Sequence, residues 1–330
     1  MKAIHVMFLA VVFYAGAVSA SALTIETVPV GNPGNAGELS GGGFGWDRIC
    51  GAVGYSYNIA KYEVTAGQYT DFLNAVAVTD TYGLYDSGMW SANEGCRIQQ
   101  SGVSGNYTYS VASDRANRPV NRVSWGDAAR FANWLHNGQP SGPQGLGTTE
   151  DGAYLLNGAT TAAELLAVVR KPGATWVIPT EDEWYKAAYH MNDGVTGNYW
   201  DYPTRSNSVP SNDLIDPDPG NNANFYQGGH TIGAPYWLTE VGEFENSAGP
   251  YGTFDQAGNV WEWNEATLWG TSRGLRGGSW GSYDFNLSAL HRDGSDPTNQ
   301  AVTVGFRVSL VPEPGSLVLL ALFLGMLRCR

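Results

Sequence analysis

Glycine is spread along the whole chain without the three-residue period of collagen, and this feature limits the fold most strongly. The chain contains 43 glycines in 330 residues, together with 12 tryptophans and 18 tyrosines. Frequent, non-periodic glycine favours turns and irregular backbone over long helices and strands. The aromatic side chains supply the large buried areas that hold such a chain together. We therefore expect a body with sparse regular secondary structure and an aromatic-rich core.

Short helices are predicted where a capping residue precedes apolar residues at helical spacing. Thr65, Ser124 and Thr180 each occupy such a position, and Thr180 forms a capping box with Glu183. A fourth helix is predicted from Ala162 to Arg170, where it stops just before a proline. The core-facing residues predicted for the first three helices are Tyr69, Phe72, Leu73, Val76, Ala128, Phe131, Ala132, Leu135, Trp184, Ala187 and Ala188.

Both ends of the chain have the pattern of segments that are removed during export. Residues 1–22 begin with a lysine, continue through an apolar run and end in small residues, as a secretory signal peptide does. Residues 311–330 contain Pro-Glu-Pro, an apolar stretch and a basic terminus. The stretch is shorter than the roughly 20 residues that cross a bilayer, which disfavours a permanent membrane span.

This C-terminal pattern resembles the PEP-CTERM sorting tail, which an exosortase recognises and removes in bacteria that make extracellular polysaccharide. The resemblance implies an exosortase as partner during export and a mature protein with no membrane helix. We expect a bacterial protein that is secreted through the inner membrane and then resides at the cell surface or in the extracellular matrix.

The body between the two ends is acidic and has two cysteines. Its net charge is about −15, so it lacks the basic surface that binding to nucleic acid requires. An extracellular protein or polysaccharide remains as the partner. Cys50 and Cys96 either form one disulfide, as in many exported domains, or stay as free thiols, because spacing alone does not show whether the side chains meet.

The most specific motifs lie in the C-terminal third. Residues 255–263 read Asp-Gln-Ala-Gly-Asn-Val-Trp-Glu-Trp, residues 276–280 read Arg-Gly-Gly-Ser-Trp, and residues 305–307 read Gly-Phe-Arg. With three upstream blocks in matching order, they resemble the formylglycine-generating (sulfatase-modifying-factor) superfamily, which also contains the ergothioneine-pathway sulfoxide synthases. The upstream blocks are Tyr62–Thr65, Arg118–Trp125 and Arg170–Trp184.

The resemblance implies one α+β domain over about residues 55–310, with the formylglycine-generating-enzyme fold, an elaborated C-type-lectin-like fold of low regularity. Residues 23–54 are then a leader and the start of the domain. Residues 192–250 form a long irregular insert, and loops of this length in compact folds are usually functional or held by a ligand such as a metal.

The same resemblance indicates that a pair of thiols is missing. Known members oxidise a substrate cysteine with two cysteines of their own that bind copper, and these positions correspond here to Ser282 and Leu287. A hydroxyl coordinates copper poorly and an alkyl chain not at all, so neither copper nor formylglycine formation is expected. The groove at this position is expected to present Trp280, Ser282, Tyr283, Arg276 and Arg292 to a ligand.

Calcium is the metal that both the residues and the resemblance predict. If residues 258–263 are extended, Trp261 and Trp263 enter the core and Glu262 faces away from it. Asp255, Glu262 and two backbone carbonyls then supply the oxygen ligands that Ca²⁺ prefers. In the alternative, Asp255 caps a turn and Glu262 pairs with an arginine such as Arg276. The predicted ligands are Asp255, Gly258, Val260 and Glu262, and a second family site would use Asn224 and Phe225.

Iron has weaker support. His291 and Asp293 match part of a non-haem iron triad, which needs a further histidine, and the other histidines of the body are scattered singly. Iron is therefore not expected. The sequence favours a calcium-stabilised, non-catalytic protein- or glycan-binding module, and the alternative is a metal-dependent oxidoreductase of the non-haem iron type on an unknown substrate. The scattered histidines are His136, His190 and His230.

Overall fold

The computed structural model describes residues 22–41 and 47–312. The predicted signal peptide and sorting tail therefore lie outside the described residues, apart from Ala22, Val311 and Pro312. In the part of the chain that is described, no helix has the length and apolar character needed to cross a membrane.

The first of two four-stranded sheets joins the two ends of the domain. Its strand order is β1-β4-β12-β7, with antiparallel pairing throughout. Because β12 lies between β4 and β7, the C-terminal strand is held on both sides by earlier parts of the chain. β1 belongs to the predicted leader, so that segment contributes a strand to the sheet. The strands are β1 (Thr27–Val30), β4 (Tyr57–Ala60), β7 (Trp176–Val177) and β12 (Ser309–Leu310).

The second four-stranded sheet carries the C-terminal motifs. Its order is β10-β9-β8-β11, in which β11 runs parallel to β8 and the other pairs are antiparallel. Its strands are β8 (Trp261–Leu268), β9 (Ser272–Arg276), β10 (Asp293–Ser295) and β11 (Val304–Gly305). Two smaller antiparallel pairs are formed by β2 (Glu38–Ser40) with β3 (Arg48–Cys50) and by β5 (Ile98–Ser101) with β6 (Thr108–Val111).

The three helices predicted from capping residues are confirmed. They are α1 (Ala66–Val76), α4 (Trp125–His136) and α6 (Glu181–Tyr189), and each begins with a reciprocal capping box. All of the predicted core-facing residues are buried. The shorter helices are α2 (Gly88–Ser91), α3 (Ser113–Ala116) and α5 (Ala162–Ala167), and a 3-10 turn spans Asp284–Leu287.

Helix α5 ends three residues before the predicted end at Arg170. Val168 is already extended, and the backbone of Arg170 pairs with that of Tyr154 in an isolated β-bridge. Two consecutive β-branched residues, Val168 and Val169, favour this extended backbone. The predicted end of the helix was therefore wrong, because a tertiary contact fixes it.

The core is dominated by aromatic rings, as the composition predicts. Phe131 of α4 packs within 6.2 Å, centroid to centroid, of Tyr69 and Phe72 from α1. It also contacts Trp134 on its own helix and Phe306 from the C-terminal motif. These contacts join both helices to the end of the chain.

The predicted insert is irregular, and a carboxylate holds part of it. No helix or strand lies between Tyr189 and Trp261, a stretch that is described throughout. Asp218 is buried and accepts hydrogen bonds from Gly220, Asn222, Asn246 and Ser247. These bonds hold residues 218–222 and 246–247 of the insert together.

Of the two alternatives for Cys50 and Cys96, the structure shows free thiols, and both are buried. Cys50 lies in a small cluster with Trp184 and Tyr185, whereas Cys96 lies in the main core. Their side chains belong to different hydrophobic clusters, so the free-thiol alternative is correct.

The ring cluster around Phe131 predicts a large loss of stability when that ring is removed. We expect Phe131→Ala to lower the free energy of unfolding by about 3–5 kcal/mol, because a buried ring is lost and a cavity remains. Phe285→Ala, which removes a ring that is 56% exposed, is the matched control and is expected to change stability by about 0.5 kcal/mol or less. Urea unfolding measures both, and equal losses would contradict this packing.

Candidate functional site

Glu262, a predicted calcium ligand, is fully buried and paired with Arg307. Arg307 donates from Nε and Nη2 to the two carboxylate oxygens at 2.6 and 2.7 Å, and Trp184 donates its indole N–H at 2.7 Å. The same guanidinium also binds the carbonyls of Ala60, Lys61 and Phe254. The pair therefore joins β8, the strand that carries the C-terminal motif, to the first sheet and to α6.

Two expectations about this segment were wrong. Glu262 does not face away from the core, because β8 is covered on both faces at this position. The alternation of side chains between the two faces of the strand also begins only at Trp261, because Gly258 and Asn259 have φ values of 78° and 57°. The predicted arginine partner exists, but it is Arg307 and not Arg276.

Two further buried carboxyl groups, Glu63 and Asp255, lie close to Glu262, whose negative charge contributes to raising the pKa of both. Glu63 is 2% exposed, and neither of its carboxylate oxygens has a hydrogen-bond partner. Burial raises the pKa of Glu63, and the nearby Asp255 raises it further. Burial likewise raises the pKa of Asp255 to about 6, although the amide of Gly242 donates to it. Arg307 is the cation that acts on both carboxyls.

This charge balance bears on the predicted calcium site. Three buried carboxyl groups and one guanidinium leave a deficit that either protons or a divalent cation can balance. In the described residues, no three His, Cys, Asp or Glu side chains lie together as a metal site. The predicted set of Asp255, Gly258, Val260 and Glu262 contains two carboxylates, and both oxygens of Glu262 already accept hydrogen bonds from Arg307 or Trp184. Calcium at this set therefore stays a prediction.

The two residues of the possible second calcium site, Asn224 and Phe225, are both buried. Asn224 lies beside Gly258 in a parallel bridge, and its Oδ1 atom is buried without a partner. The carbonyl of Phe225 already accepts from Asn212 and Thr231. A calcium site at these two residues therefore stays a prediction.

Arg276 and Arg292 were predicted to face a ligand, but both bind Glu181 at the start of α6. Each donates to the Glu181 carboxylate at 2.7 Å, as does Arg48. Burial acts to raise the pKa of Glu181, but Arg276 and Arg292 outweigh burial and lower it to about 2. Arg276 is fully buried. Arg48 of β3, Arg276 of β9 and Arg292 therefore fix their segments to α6 and do not line a groove.

The two positions where the superfamily resemblance places thiols are packed into the fold. The Ser282 Oγ atom accepts from the amide of Ser279 at 3.0 Å and lies 3.1 Å from its hydroxyl. The Leu287 side chain is fully buried beside Ala223 and Phe225. Both cysteines of the described chain lie elsewhere, and burial raises the pKa of each thiol to about 11.

A row of six rings lies next to these positions, and we call it the aromatic strip. Tyr283 contacts Tyr226 at 5.5 Å, and it is nearly parallel to Phe285, at 12° and 6.3 Å between centroids. Tyr283 and Phe285 are each 56% exposed. The row continues through His230 to two indoles that lie 5.0 Å apart. Its members are Tyr226, His230, Trp237, Trp280, Tyr283 and Phe285.

Unpartnered polar atoms are concentrated beside the strip. The indole N–H groups of Trp237 and Trp280 are buried and have no acceptor. Asn224 Oδ1, Thr239 Oγ1 and Asn259 Nδ2 are unpartnered as well, and Asn259 binds the backbone of both Thr239 and Trp280. Each unsatisfied buried group costs about 1–3 kcal/mol. Such groups mark a place where a partner is missing.

The sequence predicted two of the six rings of the strip. Trp280 and Tyr283 were predicted from the motif, whereas Tyr226, His230 and Trp237 come from the insert. The amide of Tyr226 donates to the carbonyl of Ser282, which brings the two segments together. A signal was present, because residues 220–239 are aromatic-rich and contain no charged residue.

His291 and Asp293, which match part of an iron triad, make other contacts in the structure. His291 Nε2 lies 3.1 Å from the amide of Asn286, and its ring packs against Trp261 and Phe285. Asp293 accepts from the amide of Gly294. No metal-binding group of three such side chains occurs in the described residues.

A family comparison identifies the frame that carries these residues. Residues 52–310 match the model of the sulfatase-modifying factor enzyme 1-like domain. The chain belongs to this family. The resemblance to the formylglycine-generating superfamily is thereby confirmed, together with the α+β class.

The chain is similar to one curated protein and to several solved structures. The mouse (Mus musculus) protein "Inactive C-alpha-formylglycine-generating enzyme 2" is 31% identical over 143 residues, which cover 39% of this chain and 41% of the mouse protein. The chain thus matches less than half the length of this relative. Treponema denticola variable protein 1 has a TM-score of 0.52 and 18% identity, covering 88% of this chain and 99% of that one. PvdO from Pseudomonas aeruginosa has a TM-score of 0.47 and 18% identity, covering 89% and 100%.

The position of Glu181 among three arginines predicts a strong and pH-dependent effect on stability. We expect Glu181→Gln to lower the free energy of unfolding by about 3–5 kcal/mol at pH 7, because buried guanidinium groups lose their partner. The pKa of Glu181 falls from 4.5 to about 2 on folding. Its stabilisation is therefore complete above pH 4.5 and is lost as the pH falls towards 2.

Urea unfolding of both proteins at pH 7 and pH 3 checks this prediction. The difference between wild type and Glu181→Gln should narrow at the lower pH. Glu26→Gln is the matched control, because Glu26 forms an exposed ion pair with Lys61, and such pairs contribute about 0–1 kcal/mol. A difference between wild type and Glu181→Gln that does not change with pH would contradict the assignment of Arg276 and Arg292 to Glu181.

Proposed function

We propose that this protein is an exported, non-catalytic member of the family that binds an extracellular protein or glycan through the aromatic strip. One observation carries the proposal: Ser282 and Leu287, at the positions where the resemblance implies thiols, are respectively engaged in a turn and fully buried. The chain therefore keeps the frame of the family without the sulfur atoms that bind copper.

The surroundings of these positions support binding rather than catalysis. A catalytic site needs a nucleophile, a base and a group that orients the base within hydrogen-bond reach. The Ser282 hydroxyl contacts the amide and the hydroxyl of Ser279, and that partner is not a base. The aromatic strip instead offers partly exposed rings, which are enriched where proteins bind ligands. The name of the mouse relative, which calls that protein inactive, agrees with this proposal.

Export completes the proposal. The signal-peptide pattern and the PEP-CTERM-like tail favour secretion, processing by an exosortase and residence at the cell surface or in the extracellular matrix. The acidic body disfavours nucleic acid as a partner.

An assay for formylglycine tests the absence of catalysis. We expect the purified protein to bind Cu(I) only weakly and to form no aldehyde from a cysteine-containing peptide, with or without copper, because the metal-binding thiols are absent. An authentic formylglycine-generating enzyme, assayed alongside, is the positive control. Tight Cu(I) binding together with conversion of the peptide thiol to an aldehyde would overturn the proposal.

Calcium is proposed as a stabilising ion at Asp255, Gly258, Val260 and Glu262. Because binding to the folded state stabilises it, calcium at 100 times its Kd should add about 2.7 kcal/mol and raise Tm, and EDTA should reverse the change. Asp255→Asn should weaken the response, whereas Asp151→Asn, which alters an exposed carboxylate paired with Lys171, should not. The same Tm in calcium and in EDTA would contradict the site.

A further inference from the structure

The aromatic strip is electrically neutral, although the protein as a whole is strongly acidic. Residues 220–239 contain no Asp, Glu, Lys or Arg, and residues 277–291 contain only Asp284. Charged residues make up 15% of the complete chain. Charge is therefore depleted in the two segments that build the strip, and this depletion restricts the kind of ligand that the strip fits.

Basic and acidic partners do not match this surface. A polyanion needs Arg or Lys donors, but Arg276 and Arg292 already donate to the carboxylate of Glu181. A basic protein needs acidic groups on the contact surface. His291, whose ring packs against Phe285 of the strip, has its pKa lowered by burial, which disfavours a positive charge there. A neutral ligand remains.

The arrangement of the rings favours a chain of sugar units. Tyr283 and Phe285 are exposed, lie nearly parallel and follow one another along the strip. The C–H faces of pyranose rings are apolar and slightly positive, so they stack on the negative faces of aromatic rings. Tyr283 and Phe285 can then receive two successive sugars of an extended chain, whereas Tyr226 stands nearly perpendicular to Tyr283, at 86°.

The unpartnered polar atoms favour a ligand that also carries hydroxyl groups. Trp237 and Trp280 each have an indole N–H without an acceptor, next to rings that are partly exposed. Sugar hydroxyls, directly or through water, accept from such groups when the strip adjusts to its ligand. A purely apolar partner would leave these donors unsatisfied.

We propose that the aromatic strip binds a neutral polysaccharide, with Tyr283 and Phe285 as the stacking platform and Trp237 and Trp280 as the adjacent donors. This inference rests on the proposed binding function and specifies its ligand. The ligand class is an uncharged chain of pyranose units, which the protein would meet outside the cell.

Affinity electrophoresis of the full chain through gels that contain soluble polysaccharides tests this inference. The neutral probes are a glucan, a mannan and a galactan, and the acidic probe is a polyuronate. We expect retardation by at least one neutral probe and none by the polyuronate. Tyr283→Ala and Phe285→Ala should each weaken binding at least tenfold. Trp90→Ala, which removes an exposed ring outside the strip, should leave binding unchanged.

Indole fluorescence provides a second measurement that does not depend on the variants. Binding of the neutral probe should change the emission of wild type through Trp237 and Trp280. The inference is overturned if no neutral probe retards the protein, if only the polyuronate does, or if Tyr283→Ala and Phe285→Ala bind as wild type does. The proposed function fails separately, by aldehyde formation from a peptide thiol, so the two failures are distinguishable.

Discussion

The buried pair of Glu262 and Arg307 holds the two halves of the domain together. Glu262 belongs to the motif strand, and Arg307 follows the strand that runs parallel to it. The guanidinium also reaches the carbonyls of Ala60, Lys61 and Phe254, while Trp184 of α6 binds the same carboxylate. With sparse regular structure, the fold depends on such charge-assisted bonds where longer sheets would otherwise hold the chain. The candidate functional site is built on this frame.

The elements predicted correctly are those whose signals are local. The caps Thr65, Ser124 and Thr180 and the apolar spacing behind them lie within a few residues of the helices that they begin. The charge partners could not be predicted, because the sequence shows arginines and carboxylates but not which ones meet. Arg276 was therefore assigned to a ligand, although it binds Glu181, which lies 95 residues away in the sequence.

Only part of the candidate site could be predicted from the sequence, for the same reason. The motif places Trp280 and Tyr283 at the position of the missing thiols, but the insert supplies the other side of the strip. Backbone pairing between Tyr226 and Ser282 joins these segments, and no short-range pattern encodes it. The loss of a catalytic cysteine can be seen directly in the sequence. A new binding surface cannot, because it forms only when the fold brings distant aromatic residues together.

The central claim is that the family frame persists here without a redox-active metal. Elemental analysis of the purified protein, after dialysis against a calcium-containing buffer treated to remove transition metals, tests this claim most directly. The account predicts calcium near one equivalent and copper and iron far below it. Copper or iron at one equivalent per chain would contradict the account.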